Sequence, residues 1–122
     1  MRHIEIFDTT LRDGAQAEGV VFSREDKIKV LRRLDELGVD FIEAGNPASN
    51  PKDMELMQYA CSKMQLKNAR IAAFGATCRV GERAEDSSGL KAIIDSGARL
   101  ASLFGKSSAF HVHEVLRTTP DE

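Results

Sequence analysis

Four short apolar runs set the frame of this chain: HIEIFD (3–8), VDFIEAG (39–45), RIAAFG (70–75) and LASLFG (100–105). They begin roughly 30 residues apart, about one strand plus one crossover helix. Helical patterns fill the gaps, so the rhythm is β-α-β-α-β-α-β and the strands are expected to be parallel. This excludes a bundle and a sandwich, and it sets where chemistry can sit. Parallel α/β folds carry their functional groups on the loops that follow the strands.

The helix signals are specific. Ser23 can cap the first helix, with Asp26 three residues on as a weak capping box. Ile28, Leu31, Leu34 and Leu37 recur at helical spacing, and Gly38 marks the stop. Asn50 and Pro51 open the second helix, with Met54, Met57, Cys61 and Met64 as its expected buried stripe, read as core filling. The third runs from about Ser88, with Leu90, Ile93 and Ile94 inward and Gly97 ending it. A fourth begins near Ser108 and still reads as helical towards RTTPDE.

Polar groups gather at the strand ends. The first run ends in Asp8, Thr9, Thr10, Arg12 and Asp13, and the second in Glu43, Gly45 and Asn46. The third ends in Gly75, Ala76 and Thr77, and the fourth in Gly105, Lys106 and Ser107. With parallel strands these converge on one rim. Carboxylates there suit a hard divalent cation such as Mg²⁺ or Mn²⁺, and an adjacent Arg suits an anionic group or a developing oxyanion. Two long loops, 13–22 and 76–87, border the same rim. The opposite rim is fed by ELGVD, LKNAR and DSGAR, which read as plain connectors.

Composition removes other classes. A net charge of −2 gives no basic field for nucleic acid or an anionic membrane. No apolar run approaches the ~20 residues of a membrane span, and Arg2 and His3 are not followed by a secretory apolar region. Cys61 and Cys78 are too few for a disulfide framework, and they fit idle thiols in a reducing compartment, with cytoplasm the expected location. FGKSS (104–108) has the tail of a phosphate loop, but Leu100 stands where its first Gly belongs. His111 and His113 fall in the fourth helix, where i and i+2 diverge by about 200°, so they read as a surface pair.

The segments FDTTLRDGAQAEG, DELGVDFIEAGNPASNPKD, IAAFGATCR and the 104–119 stretch together resemble one family. This is the family of acyl-CoA-dependent Claisen condensation enzymes that includes the 2-isopropylmalate, homocitrate and citramalate synthases. TLRDGAQAEG, NPASNPKD and AAFGATCR resemble the citramalate synthase branch most. The resemblance implies a metal-dependent TIM barrel that joins acetyl-CoA to an α-keto acid, here pyruvate, giving (R)-citramalate and CoA. It implies that Arg12 stabilises the oxygen that gains charge and that Asp13 is a ligand of the divalent metal. Glu43 would order the acid/base network, Asp8 would support the shell, and Gln16 would lie near the acyl-CoA and keto acid. Leu103 and Phe104 are expected in the substrate pocket, and the full enzyme is expected to be a homodimer.

The sequence departs from the family at Ser108, where relatives often carry an aromatic, and at His113, where they often carry Thr. The family's H-x-H-N metal motif is absent from these 122 residues. A full barrel needs eight βα units and ~250 residues. Four units therefore predict the N-terminal half of a barrel, residues 1–122, with open edges on the first and last strands. Alternatives are a 2-isopropylmalate synthase, a lyase with the same apparatus, and a complete four-stranded binding domain, which would require protected sheet edges and a clean final helix.

Overall fold

A computed structural model of the chain describes residues 2–122. The elements are β1 (Phe7–Asp8), α1 (Arg24–Leu37), β2 (Phe41–Gly45), α2 (Pro51–Lys63), β3 (Arg70–Ala76), α3 (Ser88–Asp95) and β4 (Leu100–Phe104). A π-helical stretch, His111–Leu116, follows β4. All neighbouring strands pair in parallel, in the order β1-β2-β3-β4. The expected βα rhythm is therefore present with every strand in place.

Helix ends follow the sequence signals. Ser23 and Asp26 form a reciprocal capping box at α1, and Gly38 closes it in the left-handed conformation at φ 87°. Asn50 accepts from the Lys52 N–H at the start of α2, with Pro51 in the first turn. Ser87 caps α3.

The core lies between the sheet and its helices. Leu31 of α1, Leu56, Met57 and Ala60 of α2, Ile93 of α3, and Ile42, Ala44, Ile71 and Ala73 of the strands form one buried cluster. Three expectations shift here. Cys61 is exposed, because the inward face of α2 runs through Asp53, Leu56, Met57 and Ala60 instead. Ile94 and Leu37 are also exposed, at 76% and 78%. Ile93 alone fills the inward position at the end of α3 that was expected to take two isoleucines.

β1 is much shorter than the apolar run 3–8 suggests. The Asp40 side chain is the reason. Its Oδ2 accepts from the Ile6 N–H at 2.8 Å, while the Ile6 carbonyl accepts from the Asp40 and Phe41 N–H groups at 3.1 Å each. A side chain thus replaces the ladder contact that would extend the strand.

Both sheet edges are open. On β1 and the segment before it, Ile4, Ile6 and Phe7 are 80%, 55% and 43% exposed; on β4, Leu103 and Phe104 are 54% and 51% exposed. The final helix stops at Leu116, with Arg117 in the left-handed region. It therefore ends directly before the RTTPDE stretch, towards which the sequence reads as helical. A complete four-stranded domain would cover its edges. This sheet leaves apolar side chains on both, as half of a closed barrel must.

Asp35 ties the end of α1 to the loop between α2 and β3. Its carboxylate accepts from the backbone N–H groups of Lys67 (2.9 Å), Asn68 (2.8 Å) and Ala69 (2.8 Å), just before β3. Burial pushes this carboxyl up, but the donors of Ala69, Lys67 and Asn68 outweigh it and hold it below its ordinary value of 3.8. A depressed carboxylate stabilises the fold fully above its unfolded pKa, and loses that contribution as pH falls through the folded value. Asp35→Ala should cost about 3 kcal/mol in urea unfolding at neutral pH. It should also flatten the loss of stability expected below about pH 4 in the unsubstituted chain, measured by denaturation across pH 2–7.

Candidate active site

The turn after β1 aims the first candidate groups. The Thr9 carbonyl accepts from the N–H groups of Arg12 (3.2 Å), Asp13 (2.9 Å) and Gly14 (3.1 Å). Asp8 fixes the turn from below, accepting from the Thr10 N–H and Thr10 Oγ1 at 3.0 Å each. Leu11 is driven into the core, 1% exposed, so its neighbour Arg12 is turned to the inner face of the sheet.

Arg12 is held on three sides. Its Nε donates to Glu43 Oε2 at 2.6 Å, and its Nη1 donates to Asp13 Oδ1 at 3.2 Å. The guanidinium carbon lies 4.0 Å from the centre of the Phe74 ring. Glu43 is 1% exposed and has in Arg12 the charged partner that a buried carboxylate requires.

The strand register explains why these groups meet. Glu43 pairs with Ala72 of β3, and Phe74 lies two residues on, on the same face. The β2–β3 register then shifts between Glu43 and Gly45, so that Gly45 pairs with Ala73. This bulge turns Gly45 to the helix side. There Asp53 of α2 comes so close that a Cβ on Gly45 would lie 2.5 Å from its carboxyl carbon. Asp53 in turn accepts from Lys27 Nζ at 2.7 Å and from the Asn46 N–H at 3.0 Å. The bulge therefore separates two ion pairs, Arg12–Glu43 inside the sheet and Lys27–Asp53 outside it.

A cleft of ≈ 720 Å³ opens beside Arg12, with Gln16, Lys27, Asn46, Asp53 and Phe74 among its lining residues. Arg12 and Gln16, named from the sequence, both line it. Glu43 lies beneath Arg12, and Asp13 stands on the rim with its side chain 67% exposed. Leu103 is placed elsewhere. It pairs with Gly75, whose missing Cβ would meet Ile93 of α3, so Leu103 points to the helix side, away from Arg12. Ser102 and Phe104, in register with Phe74 and Ala76, share the Arg12 face.

Sequence reading missed Phe74, Lys27 and Asp53. Phe74 reads as one more apolar strand residue, and Lys27 as the polar face of an amphipathic helix. Only the strand alternation from Glu43 through its register partner could have singled out Phe74.

For a divalent metal, the donor chemistry at this rim fits in part. Asp13 offers an exposed oxygen ligand of the kind hard cations take. Glu43 is committed to Arg12. His111 and His113 lie in the exposed π-helical stretch after β4. A separate group of metal-ligating residues, His3, Glu5 and Asp40, lies at the start of the strands rather than at this rim.

Removing Glu43 would strand a guanidinium on an apolar face. Glu43→Ala should destabilise the chain by about 3 kcal/mol, at the low end for a broken buried pair because Arg12 still reaches solvent. Urea unfolding would measure this, and Glu43→Gln, which keeps an acceptor, should cost less.

Comparisons place the chain in a family. The HMGL-like family matches residues 3–122. Among curated relatives, the chain is 47% identical over 117 residues to the (R)-citramalate synthase of Streptomyces coelicolor, covering 96% of the chain and 22% of that enzyme. It is 44% identical to the (R)-citramalate synthase of Aquifex aeolicus, over 98% of the chain and 22% of that enzyme. Identity to the 2-isopropylmalate synthase of Pyrococcus furiosus is 37%, over 99% of the chain and 23% of that enzyme. The chain thus spans less than a quarter of the length of these relatives. The crystal structure of the Bacillus subtilis HMG-CoA lyase superposes with a TM-score of 0.67 at 22% identity, over 98% of this chain and 38% of that one. Its fold agrees with four consecutive βα units of a TIM barrel. With nearly all of its length matched, the chain belongs to the HMGL-like family.

Proposed function

We propose that residues 1–122 are the N-terminal half of the catalytic barrel of a citramalate synthase, an acyl-CoA-dependent transferase. The reading rests on one observation above the others. Arg12 is held by Glu43 and Phe74 at the wall of a cleft, with its Nη1 beside the exposed carboxylate of Asp13. Identities of 47% and 44% to (R)-citramalate synthases, against 37% to a 2-isopropylmalate synthase, favour pyruvate over the larger keto acid.

In the proposed reaction the methyl carbon of acetyl-CoA loses a proton and attacks the keto carbon of pyruvate. Water then cleaves the thioester, releasing (R)-citramalate and CoA. Negative charge develops on the former keto oxygen. Arg12 meets that charge with guanidinium N–H groups already oriented, so little reorganisation is needed as the bond forms. Glu43 keeps the guanidinium in plane, and the Phe74 ring packs against one face of it. Gln16 offers its amide to substrate at the cleft wall. Asp13 would hold a divalent cation, Mg²⁺ or Mn²⁺, which when bound polarises the keto group and the keto-acid carboxylate. Other ligands would come from the second half of the barrel.

Among the described residues no helix is long and apolar enough to cross a membrane. A cytoplasmic homodimer acting on small molecules, in isoleucine biosynthesis, completes the proposal.

The full-length enzyme tests it. CoA release from acetyl-CoA should be fastest with pyruvate when pyruvate, 2-oxoisovalerate and 2-oxoglutarate are assayed in parallel; a clear preference for 2-oxoisovalerate would replace the reading with a 2-isopropylmalate synthase. Arg12→Ala should lower kcat about a hundredfold or more with little change in KM, because the contact strengthens only in the transition state. Asp13→Ala should lose activity and recover part of it in excess Mn²⁺.

A further inference from the structure

The rim opposite Arg12 carries its own cluster. His3 and Glu5 lie two residues apart in the segment just before β1. Asp40 sits beside them, immediately before β2. One ligand atom from each of the three lies within 4.8 Å of the others. We propose that His3, Glu5 and Asp40 form a second metal site, for a divalent cation of the zinc class, which staples the start of β1 to the start of β2.

The donor set selects the ion. One imidazole nitrogen with two carboxylate oxygens suits Zn²⁺ better than Mg²⁺, which takes oxygen ligands and keeps its waters. Tetrahedral ligands at about 2.1 Å from zinc stand about 3.4 Å apart, so the side chains need to close by roughly an ångström. Water fills the fourth position.

The backbone prepares the site. Asp40 Oδ2 already accepts from the Ile6 N–H at 2.8 Å, which fixes the carboxylate and leaves Oδ1 to coordinate. A second-sphere contact of this kind orients metal ligands. Glu5 is drawn only weakly elsewhere. Its contact with Arg70 Nη2 is 3.8 Å long, between side chains that are 49% and 68% exposed, so the metal displaces little.

The need is local. β1 has a ladder of two residues, and the segment before it depends on Ile6 and the Asp40 carboxylate. An ion bound to the folded arrangement and not to the unfolded chain stabilises that arrangement by mass action. The site stands apart from the Arg12 cleft, at the other ends of the strands, and does not depend on the reaction proposed for it.

Zinc chloride titrated into the full-length enzyme, followed by calorimetry, tests the proposal. The expected result is one zinc per chain beyond the metal that Asp13 would hold, kept in Asp13→Asn, with His3→Ala and Glu5→Gln each weakening its binding about tenfold or more. Zinc should raise the Tm of the unsubstituted chain but not that of Glu5→Gln. Both substituted residues are exposed, so the variants should melt like the parent without metal. Absence of saturable binding would overturn the site. So would a loss with His3→Ala that Glu5→Gln does not share, since His3 alone would then capture the ion, or a loss with Asp13→Asn.

Discussion

The 2.6 Å pair between Arg12 and Glu43 is the contact on which the inner face of this sheet depends. A carboxylate that is 1% exposed would be costly alone. An arginine laid on a phenylalanine ring would be mobile alone. Together each supplies what the other lacks, and the pair ties the loop after β1 to the middle of β2. The order of events in the chain follows from that. Leu11 enters the core, Arg12 turns inward, and Asp13 is left on the rim with one carboxylate oxygen against Arg12 Nη1. Adjacent opposite charges in LRDG thus reach different depths, and the difference between a wall group and a rim group is set by a single buried leucine.

The bulge in β2 is the second determinant. Without it, Gly45 would face the same side as Glu43. With it, Gly45 faces α2, and Asp53 occupies the space where a side chain would be. The Lys27–Asp53 pair and the Asn46 N–H then brace the loop that forms one wall of the cleft. The residues of the cleft wall are held by helices on one side and by the Arg12–Glu43 pair on the other.

Much of this was legible in the sequence. Strand spacing and helix caps gave four parallel βα units, and strand ends put Asp8, Arg12, Asp13 and Glu43 on one rim. What was not legible depended on contacts between segments far apart in the chain. Cys61 and Leu56 both fit a helical stripe, and only packing against the sheet chose Leu56. Leu103 sits on a strand whose apolar and small residues do not alternate cleanly, so its face could not be assigned until β4 was registered against Gly75. The length of β1 turned on one Asp40 oxygen competing for a backbone donor, which no periodicity records. The rim of plain connectors likewise hid His3 and Asp40, which lie 37 positions apart and meet only because β1 and β2 are neighbours.

The two outer seams of the sheet differ in strength. β3 and β4 share a register of five residue pairs, whereas β1 and β2 share two. Local opening follows the weakest ladder, so the sheet will breathe at β1 first. That strand carries the Arg12 turn directly on its end. Opening at β1 would be passed to that turn, which is tied to the middle of β2 through Arg12 and Glu43. The shortest strand in the fold thus carries the turn from which Arg12 reaches the cleft wall.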